Sequence, residues 1–227
     1  MRNSVIIVAG GSGKRMGVAL PKQFLEIDNK ALVIYTIEKF LKFDPEIEII
    51  LVINEVFFDY WKKIKTVSGF EYPVKLAAGG ETRFHSVKNG IEKIEGDSLV
   101  GIHDSVRPLV SVETIQRVYS AADTFGCAIP CIPLKESVRE TSGDKSRPLD
   151  RSKIYVVQTP QVFRSGILKH AYNTSYTDAF TDDASVVEKA GYNIKLVEGD
   201  EYNLKITTPG DFEIAKILLT LQKPLLQ

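Results

Sequence analysis

Short apolar runs alternate with amphipathic helical patterns along almost the whole chain, and this alternation narrows the possible folds more than any other feature. SVIIVA (4–9), IEIILVI (47–53), VKLA (74–77), LVGIH (99–103), CAIPCIPL (127–134) and IKLVE (194–198) read as strands. Helical periodicity covers 31–42, 56–67, 82–94, 112–125, 165–175, 182–191 and 209–222, the last opening on Pro209, a residue suited to the first helical turn. Strands joined by helical crossovers pair in parallel, and parallel strands need cover on both faces. The expected fold is α/β, a mostly parallel sheet in a three-layer αβα arrangement. The 227 residues, 44% of them hydrophobic, suffice for one large domain, so residues 1–227 are read as a single unit.

Segment 135–157, KESVRETSGDKSRPLDRSKIYVV, breaks the rhythm. Charges, a turn signal at SGDKS and alternating residues on either side predict a two-stranded β-arm projecting from the sheet. Such an arm cannot bury a core of its own, so it is expected to pack on something, such as another subunit, the alternative being a flexible surface hairpin.

Ligands of open α/β sheets sit at the carboxyl ends of the strands. Three loops follow strands directly: GGSGKRMG after the first, AGGETRFHS after VKLA, and DSVRP after LVGIH. The first matches neither familiar phosphate motif. A P-loop needs glycine where Val8 stands and Ser or Thr where Arg15 stands, and the dinucleotide fingerprint needs glycine where Met16 stands. Even so, glycines admit a ligand close to the backbone, and their N–H groups can form an anion nest. Arg15 can fork onto two phosphate oxygens, and Lys22, in the LPKQFLEI that follows, supplies a point charge. The loop suits a triphosphate.

Basic and acidic residues balance at 29 each, which gives no global field for nucleic acid and points to a small anion met by local cations. No apolar run reaches the about 18 residues of a membrane span, and the N-terminus lacks a signal-peptide pattern. Cys127 and Cys131 on one strand would lie roughly 13 Å apart, whereas a disulfide needs less than about 7 Å. Both are read as buried free thiols, and the expected location is the cytoplasm. His103 is expected to be a neutral structural residue beside Asp104, His85 and His170 to be helix residues, and the aromatics of FFDYW to pack a helix rather than stack on a base.

The first loop resembles the opening signature of nucleotidyltransferases that activate phosphorylated alcohols. With AGGETRFHSV, HDSVRP, VRET followed by LDR, QTPQVF, FTDDAS and LVEGDEYNLKITTPGD, the chain is similar to the 2-C-methyl-D-erythritol 4-phosphate cytidylyltransferases of the non-mevalonate isoprenoid pathway, from first strand to last helix. That resemblance implies a Rossmann-like nucleotidyltransferase fold, CTP and 2-C-methyl-D-erythritol 4-phosphate as substrates, Mg²⁺, and a homodimer whose arm crosses to the partner. It implies that Arg15 and Lys22 stabilise charge on the α-phosphate and the departing pyrophosphate, and that Arg151 and Lys205 hold the incoming phosphate. Ala9, Gly10, Gly11, Gly13, Gly80, Ser86, Asp104 and Ser105 would surround the nucleotide; Arg107, Thr141, Thr159 and Thr181 would line the alcohol-phosphate side. Asp104 is the candidate metal contact, with the phosphates as the alternative carrier.

Ser105 and Val106 stand between Asp104 and Arg107, where the family usually has two small residues, so Val106 is expected to narrow the pocket. The stretch from Thr141 to Arg151 makes a compact arm, and no second catalytic domain is read beyond position 222. The alternatives are a ribitol-5-phosphate cytidylyltransferase, which shares the PKQFL and NIKIT-like blocks, a catalytically silent nucleotide-binding protein, and a dehydrogenase already disfavoured by the failed fingerprint.

Overall fold

The computed structural model describes residues 1–9 and 20–221. Gly10, Gly11, Gly13 and Arg15 therefore lie outside the described residues. Four strands run in parallel, β1 (Arg2–Val8), β4 (Glu48–Ile53), β5 (Lys75–Ala78) and β6 (Ser98–Asp104), with β1 between β4 and β6 and β5 outside β4. Beyond β6 comes β11 (Gln161–Arg164), antiparallel to β6 and to β7 (Cys127–Pro133). β7 also pairs with β10 (Tyr155–Val157), antiparallel, and β12 (Lys195–Glu198), parallel, which completes an eight-stranded sheet among the described residues. Two short strands, β2 (Glu26–Ile27) and β3 (Lys30–Ala31), form a separate ribbon.

The three layers follow from side-chain alternation along the parallel strands. Val5 and Ile7 of β1, with Ile49, Leu51 and Ile53 of β4, face one way. They meet Val33, Ile37 and Phe40 of α1 (Leu32–Phe43), Trp61 of α2 (Phe58–Val67) and Ile115 and Val118 of α4 (Val112–Phe125). Ile6, Ile50 and Val52 face the other way, onto Phe84 and Val87 of α3 (Arg83–Ile91), Leu168 of α5 (Ser165–Ala171) and Val186 and Val187 of α6 (Asp183–Lys189). Strands buried on both faces read as continuous apolar runs, which is why SVIIVA and IEIILVI stand out in the sequence. Each fully buried Ile or Leu contributes roughly 1.5–3 kcal/mol relative to exposure.

A third cluster matters more for the site. Ala215 and Leu219 of α7 (Pro209–Leu221) pack with Ile27, Leu32, Val106, Leu109 and Ile206. This cluster clamps the segment before α7 onto the turn after β6. Val106 belongs to it and is buried, so its extra bulk fills core beneath the turn and does not narrow a pocket as the sequence suggested.

The projecting arm is present but shorter than 135–157. It consists of β8 (Arg139–Ser142) and β9 (Lys145–Pro148), joined at Gly143 with φ of 57°, and every residue of both strands is exposed. The C-terminal part of the expected arm, Tyr155–Val157, rejoins the main sheet as β10. Its own chain geometry brings it back: Leu134 N–H donates to Ile154 O at 3.1 Å, so the arm ends where the ladder resumes.

Candidate active site

The parallel strands end together, and backbone bonds carry the ladder into the loops. Ala9 N–H donates to Val52 O (2.8 Å), Gly79 N–H to Ile53 O (2.8 Å) and Ser105 N–H to Val8 O (3.0 Å). Ser105 is held a second time, its carbonyl accepting from Thr36 Oγ1 at 2.8 Å, and its side chain is buried. Its neighbour Asp104 thus has a fixed backbone at the edge of the sheet.

Three cationic side chains converge on Asp104. Lys205 Nζ lies 2.9 Å and Arg107 Nε 3.4 Å from Oδ2, while Arg83 Nε lies 3.6 Å from Oδ1. Burial alone would raise the carboxyl group's pKa; the attraction of Arg83, Lys205 and Arg107 outweighs it and holds the group well below the usual carboxylate range. Asp104 is therefore a permanent anion among cations.

The segment bearing Lys205 is laid across the turn after β6 by a set of directed bonds. Asn203 Nδ2 donates to Thr159 O (2.8 Å), Arg107 Nη1 to Asn203 O (2.7 Å), and Ile206 N–H to Val106 O (3.0 Å). Asp211, in the first turn of α7, accepts from Thr207 N–H, Thr207 Oγ1 and Thr208 N–H at 2.8, 2.7 and 2.8 Å. Lys22 meets this segment from the other side: its Nζ donates to Ile206 O at 3.2 Å. Lys22 opens a 3-10 turn, Lys22–Phe24, whose Gln23 Nε2 donates to Ala9 O at 2.6 Å and whose Phe24 is buried against Phe57 and Tyr60. The turn is thereby anchored to the start of the glycine-rich loop.

Both ring nitrogens of His103 are committed within the fold. The histidine is fully buried, its Nε2–H donates to Arg107 O at 3.2 Å, and its Nδ1 accepts from Thr159 Oγ1 at 3.1 Å. Thr159 Oγ1 in turn accepts from Asp104 N–H at 3.2 Å. Burial pushes the imidazole down to about 4, so it is neutral at physiological pH. Thr159 and His103 hold the Asp104 backbone in place, as the sequence suggested for the histidine.

The second loop is built around Gly80. Its N–H donates to Ser86 Oγ at 3.0 Å, and that hydroxyl donates to Thr82 O at 3.0 Å. Ser86 is buried with its hydroxyl committed to the loop, so it acts by shaping the backbone at Gly80. A Cβ at Gly80 would stand 2.4 Å from His85 Cβ, so only glycine fits. Thr82 caps α3, its hydroxyl oxygen accepting from His85 N–H. One residue later, Arg83 makes a two-pronged pair with Asp183, Nη1 to Oδ1 at 2.8 Å and Nη2 to Oδ2 at 2.7 Å.

The structure thus gathers Ala9, Lys22, Gly80, Ser86, Asp104, Ser105, Arg107, Thr159 and Lys205 along one edge of the sheet. Thr181 is exposed and sits just before Asp182, the N-cap of α6, where Gln161 of β11 ties both Asp182 Oδ2 (2.8 Å) and Ala184 N–H (2.9 Å). Thr141 and Arg151 are not brought to this cluster within the chain. Thr141 lies on the exposed arm, and Arg151, also exposed, donates from Nη1 to Lys135 O at 2.7 Å. Sequence reasoning missed Arg83, Asp183, Asn203 and Gln23. Arg83 had a signal, since a cation one residue into a helix after a strand-end glycine loop must lie at the ligand edge.

The profile of the family described as "IspD: 2-C-methyl-D-erythritol 4-phosphate cytidylyltransferase" matches residues 4–221. A 2-C-methyl-D-erythritol 4-phosphate cytidylyltransferase of Phocaeicola vulgatus is 49% identical over 219 residues, 96% of this chain and 100% of that protein.

The chain belongs to this cytidylyltransferase family.

The like-named protein of Bacteroides thetaiotaomicron is 46% identical, with the same coverage of 96% and 100%. Among solved structures, the 4-diphosphocytidyl-2C-methyl-D-erythritol synthase of Anaerococcus prevotii superposes with a TM-score of 0.82 at 28% identity, covering 96% of this chain and 98% of that one. The cytidylyltransferase of Thermus thermophilus gives 0.76 at 29% identity, with 97% and 100% covered. The Rossmann-like α/β fold expected from the sequence is the fold of these family members. Among the described residues, no three His, Cys, Asp or Glu side chains converge on a point that could cage a metal ion. No helix among them is long and apolar enough to cross a membrane. Cys127 and Cys131 are buried free thiols on β7, and Trp61 packs in the core of α2.

Proposed function

We propose that this chain transfers CMP from CTP to 2-C-methyl-D-erythritol 4-phosphate, giving 4-diphosphocytidyl-2-C-methyl-D-erythritol and pyrophosphate in the non-mevalonate isoprenoid pathway. A phosphate oxygen of the alcohol phosphate attacks the α-phosphorus of CTP; a new P–O bond forms, the bond between the α-phosphorus and the bridging oxygen breaks, and pyrophosphate leaves with the electron pair. A phosphate monoester is about dianionic at neutral pH, its second pKa being about 6, so the nucleophile needs no general base. The barrier is the approach of two polyanions, and it falls through positioning and charge neutralisation.

The observation that carries this reading is the pairing of Lys22 and Lys205 along one backbone segment beside Asp104, with a neutral, buried His103 as the adjacent titratable group. Lys22, with Arg15, receives the charge developing on the α-phosphate and pyrophosphate. Lys205, with Arg151, receives the phosphate of the alcohol. The Gly80 loop, shaped by Ser86, and the backbone at Ala9, Gly10, Gly11 and Gly13 take the cytidine. Arg107 and Thr159 frame the alcohol-phosphate side through their bonds to Asn203 O and to the Asp104 backbone, Thr181 borders it, and Thr141 would reach it only from the arm of a second copy. A magnesium ion would be held chiefly by the phosphate oxygens of the substrates, because Asp104, the candidate carboxylate, is already engaged by Lys205, Arg107 and Arg83. When bound, it supplies further neutralisation of the triphosphate.

Residues 1–227 act as one catalytic unit whose arm serves dimerisation. The wholly exposed β8 and β9, together with exposed Leu149, Tyr155, Val156 and Val157 nearby, support an arm that packs on a second copy and lends it Arg151. Two buried thiols without a disulfide support a cytoplasmic enzyme. Pyrophosphate release, measured with CTP and Mg²⁺ against either 2-C-methyl-D-erythritol 4-phosphate or ribitol 5-phosphate, tests the assignment. The methylerythritol substrate is expected to win by more than about tenfold in kcat/KM; the reverse preference, or CTP binding without turnover, would overturn it.

A further inference from the structure

Asp183, the first residue of α6, is wholly buried. It receives both prongs of Arg83, and Tyr172 OH donates to its Oδ1 at 2.6 Å. The plane of the guanidinium is fixed on that side, and its Nε is left facing Asp104 Oδ1 at 3.6 Å. The other oxygen of Asp104 holds Lys205 at 2.9 Å. Alternating charges thus run Asp183, Arg83, Asp104, Lys205, from the start of α6 to the ammonium group assigned to the incoming phosphate. A carboxylate in a site for two polyanions is unfavourable by charge alone, since like charges repel there with little solvent between them. Its presence makes sense if it aims the cations around it.

We propose that Arg83 is a positioning residue for the alcohol phosphate: anchored by Asp183, it fixes the Asp104 carboxylate, and through that carboxylate it sets where Lys205 stands. The proposal rests on the cytidylyltransferase reading above and adds residues which that reading does not use. Arg83 follows the Gly80 loop on the nucleotide side, while Asp183 follows Thr181 on the alcohol-phosphate side. The pair ties the two halves of the site into one frame. A lysine cannot replace it, because a single ammonium cannot fork onto Asp183 and also reach Asp104.

The test is a double-substitution cycle between Arg83 and Lys205, which contact opposite oxygens of Asp104. Arg83→Lys is expected to lower kcat/KM for 2-C-methyl-D-erythritol 4-phosphate by at least about tenfold, while CTP affinity, measured by calorimetry without the alcohol phosphate, stays within about threefold. Arg83→Lys combined with Lys205→Met is expected to be no worse than Lys205→Met alone by more than about twofold, because the aim of a lysine that is gone has no value. Losses that multiply, or CTP affinity that falls as far as alcohol-phosphate efficiency, would overturn the proposal, since general damage to the site would do either. If Arg83→Lys does not fold, Asp183→Asn loosens the same anchor while Arg83 keeps Asp104 as its anionic partner, and the same cycle and criteria apply. Wild-type enzyme inert toward the alcohol phosphate would refute the functional reading; active wild type with multiplying losses would refute the relay alone.

Discussion

Replacing Gly80 with alanine places one methyl group where the structure has no room for it. The new Cβ would sit 2.4 Å from His85 Cβ and 2.8 Å from the His85 carbonyl carbon, and the latter is backbone that no rotamer change can move. Reaching ordinary contact at 3.4 Å from the 2.4 Å approach to His85 Cβ requires the loop and α3 to separate by 1.0 Å. The bond from Gly80 N–H to Ser86 Oγ, 3.0 Å long, would then stretch to about 4 Å and be lost, at a stability cost of about 1 kcal/mol. A displacement of about 1 Å in a positioning element can cost about 10²-fold in rate. Steady-state pyrophosphate release at varied CTP is therefore expected to show kcat/KM for CTP reduced about 10²-fold, equivalent to about 2.7 kcal/mol, with the fold intact by circular dichroism. Gly79→Ala is the matched control. Its Cβ would meet Asn54 N at 3.4 Å, an ordinary contact, and CTP kinetics should change by less than about threefold. Wild-type CTP kinetics in Gly80→Ala would refute the assignment of this loop to the nucleotide.

Two further outcomes are expected. The folded His103 has its pKa pushed down to about 4, below the about 6.5 of an unfolded histidine, so the unfolded chain binds more protons between those values. The stability from this group is full above pH 6.5 and is lost as pH falls toward 4, by up to about 3 kcal/mol; in denaturant titrations, His103→Gln should remove that part of the slope, and an unchanged slope would contradict it. The proposed sharing of the arm predicts that a mixed dimer of Arg151→Ala and Lys22→Ala chains keeps near half of wild-type activity although both parent homodimers are dead, because the two lesions fall in one site. A dead mixed dimer would place Arg151 in its own subunit's site.

The parallel core was legible because strands buried on both faces must be apolar throughout, and helices between them repeat every three or four residues. β11 was not legible. Gln161–Arg164 has two apolar residues between Gln161 and Arg164 and follows Pro160, so nothing local marks it as a strand; it is one because β6 and β7 leave a slot on each side of it. The turn of the arm is legible at SGDKS, where Gly143 joins β8 to β9, but its end is not, since Tyr155–Val157 alternates too weakly to show which sheet it joins. Within the site, strand-end position pointed to Asp104 and adjacency to a neutral role for His103. Lys205 and Arg151 carry no local signal, and only the resemblance singled them out. Arg83 and Asp183 lie 100 residues apart, and their pairing exists only once α3 and α6 share a face of the sheet. The burial of Val106 is not legible locally, because the apolar surface that covers it comes from α7, more than a hundred residues further along the chain.

In the proposed reaction, fixed positive groups lower the barrier and no proton is abstracted. The most direct measurement is the single-turnover rate of pyrophosphate release at saturating CTP for Lys22→Gln, for Arg15→Gln and for the two together. Each single change should slow the step by about 10²–10³-fold, as for the loss of one preorganised donor, and the pair should abolish measurable turnover. A double variant that still releases pyrophosphate at a rate near that of the wild type would contradict the account.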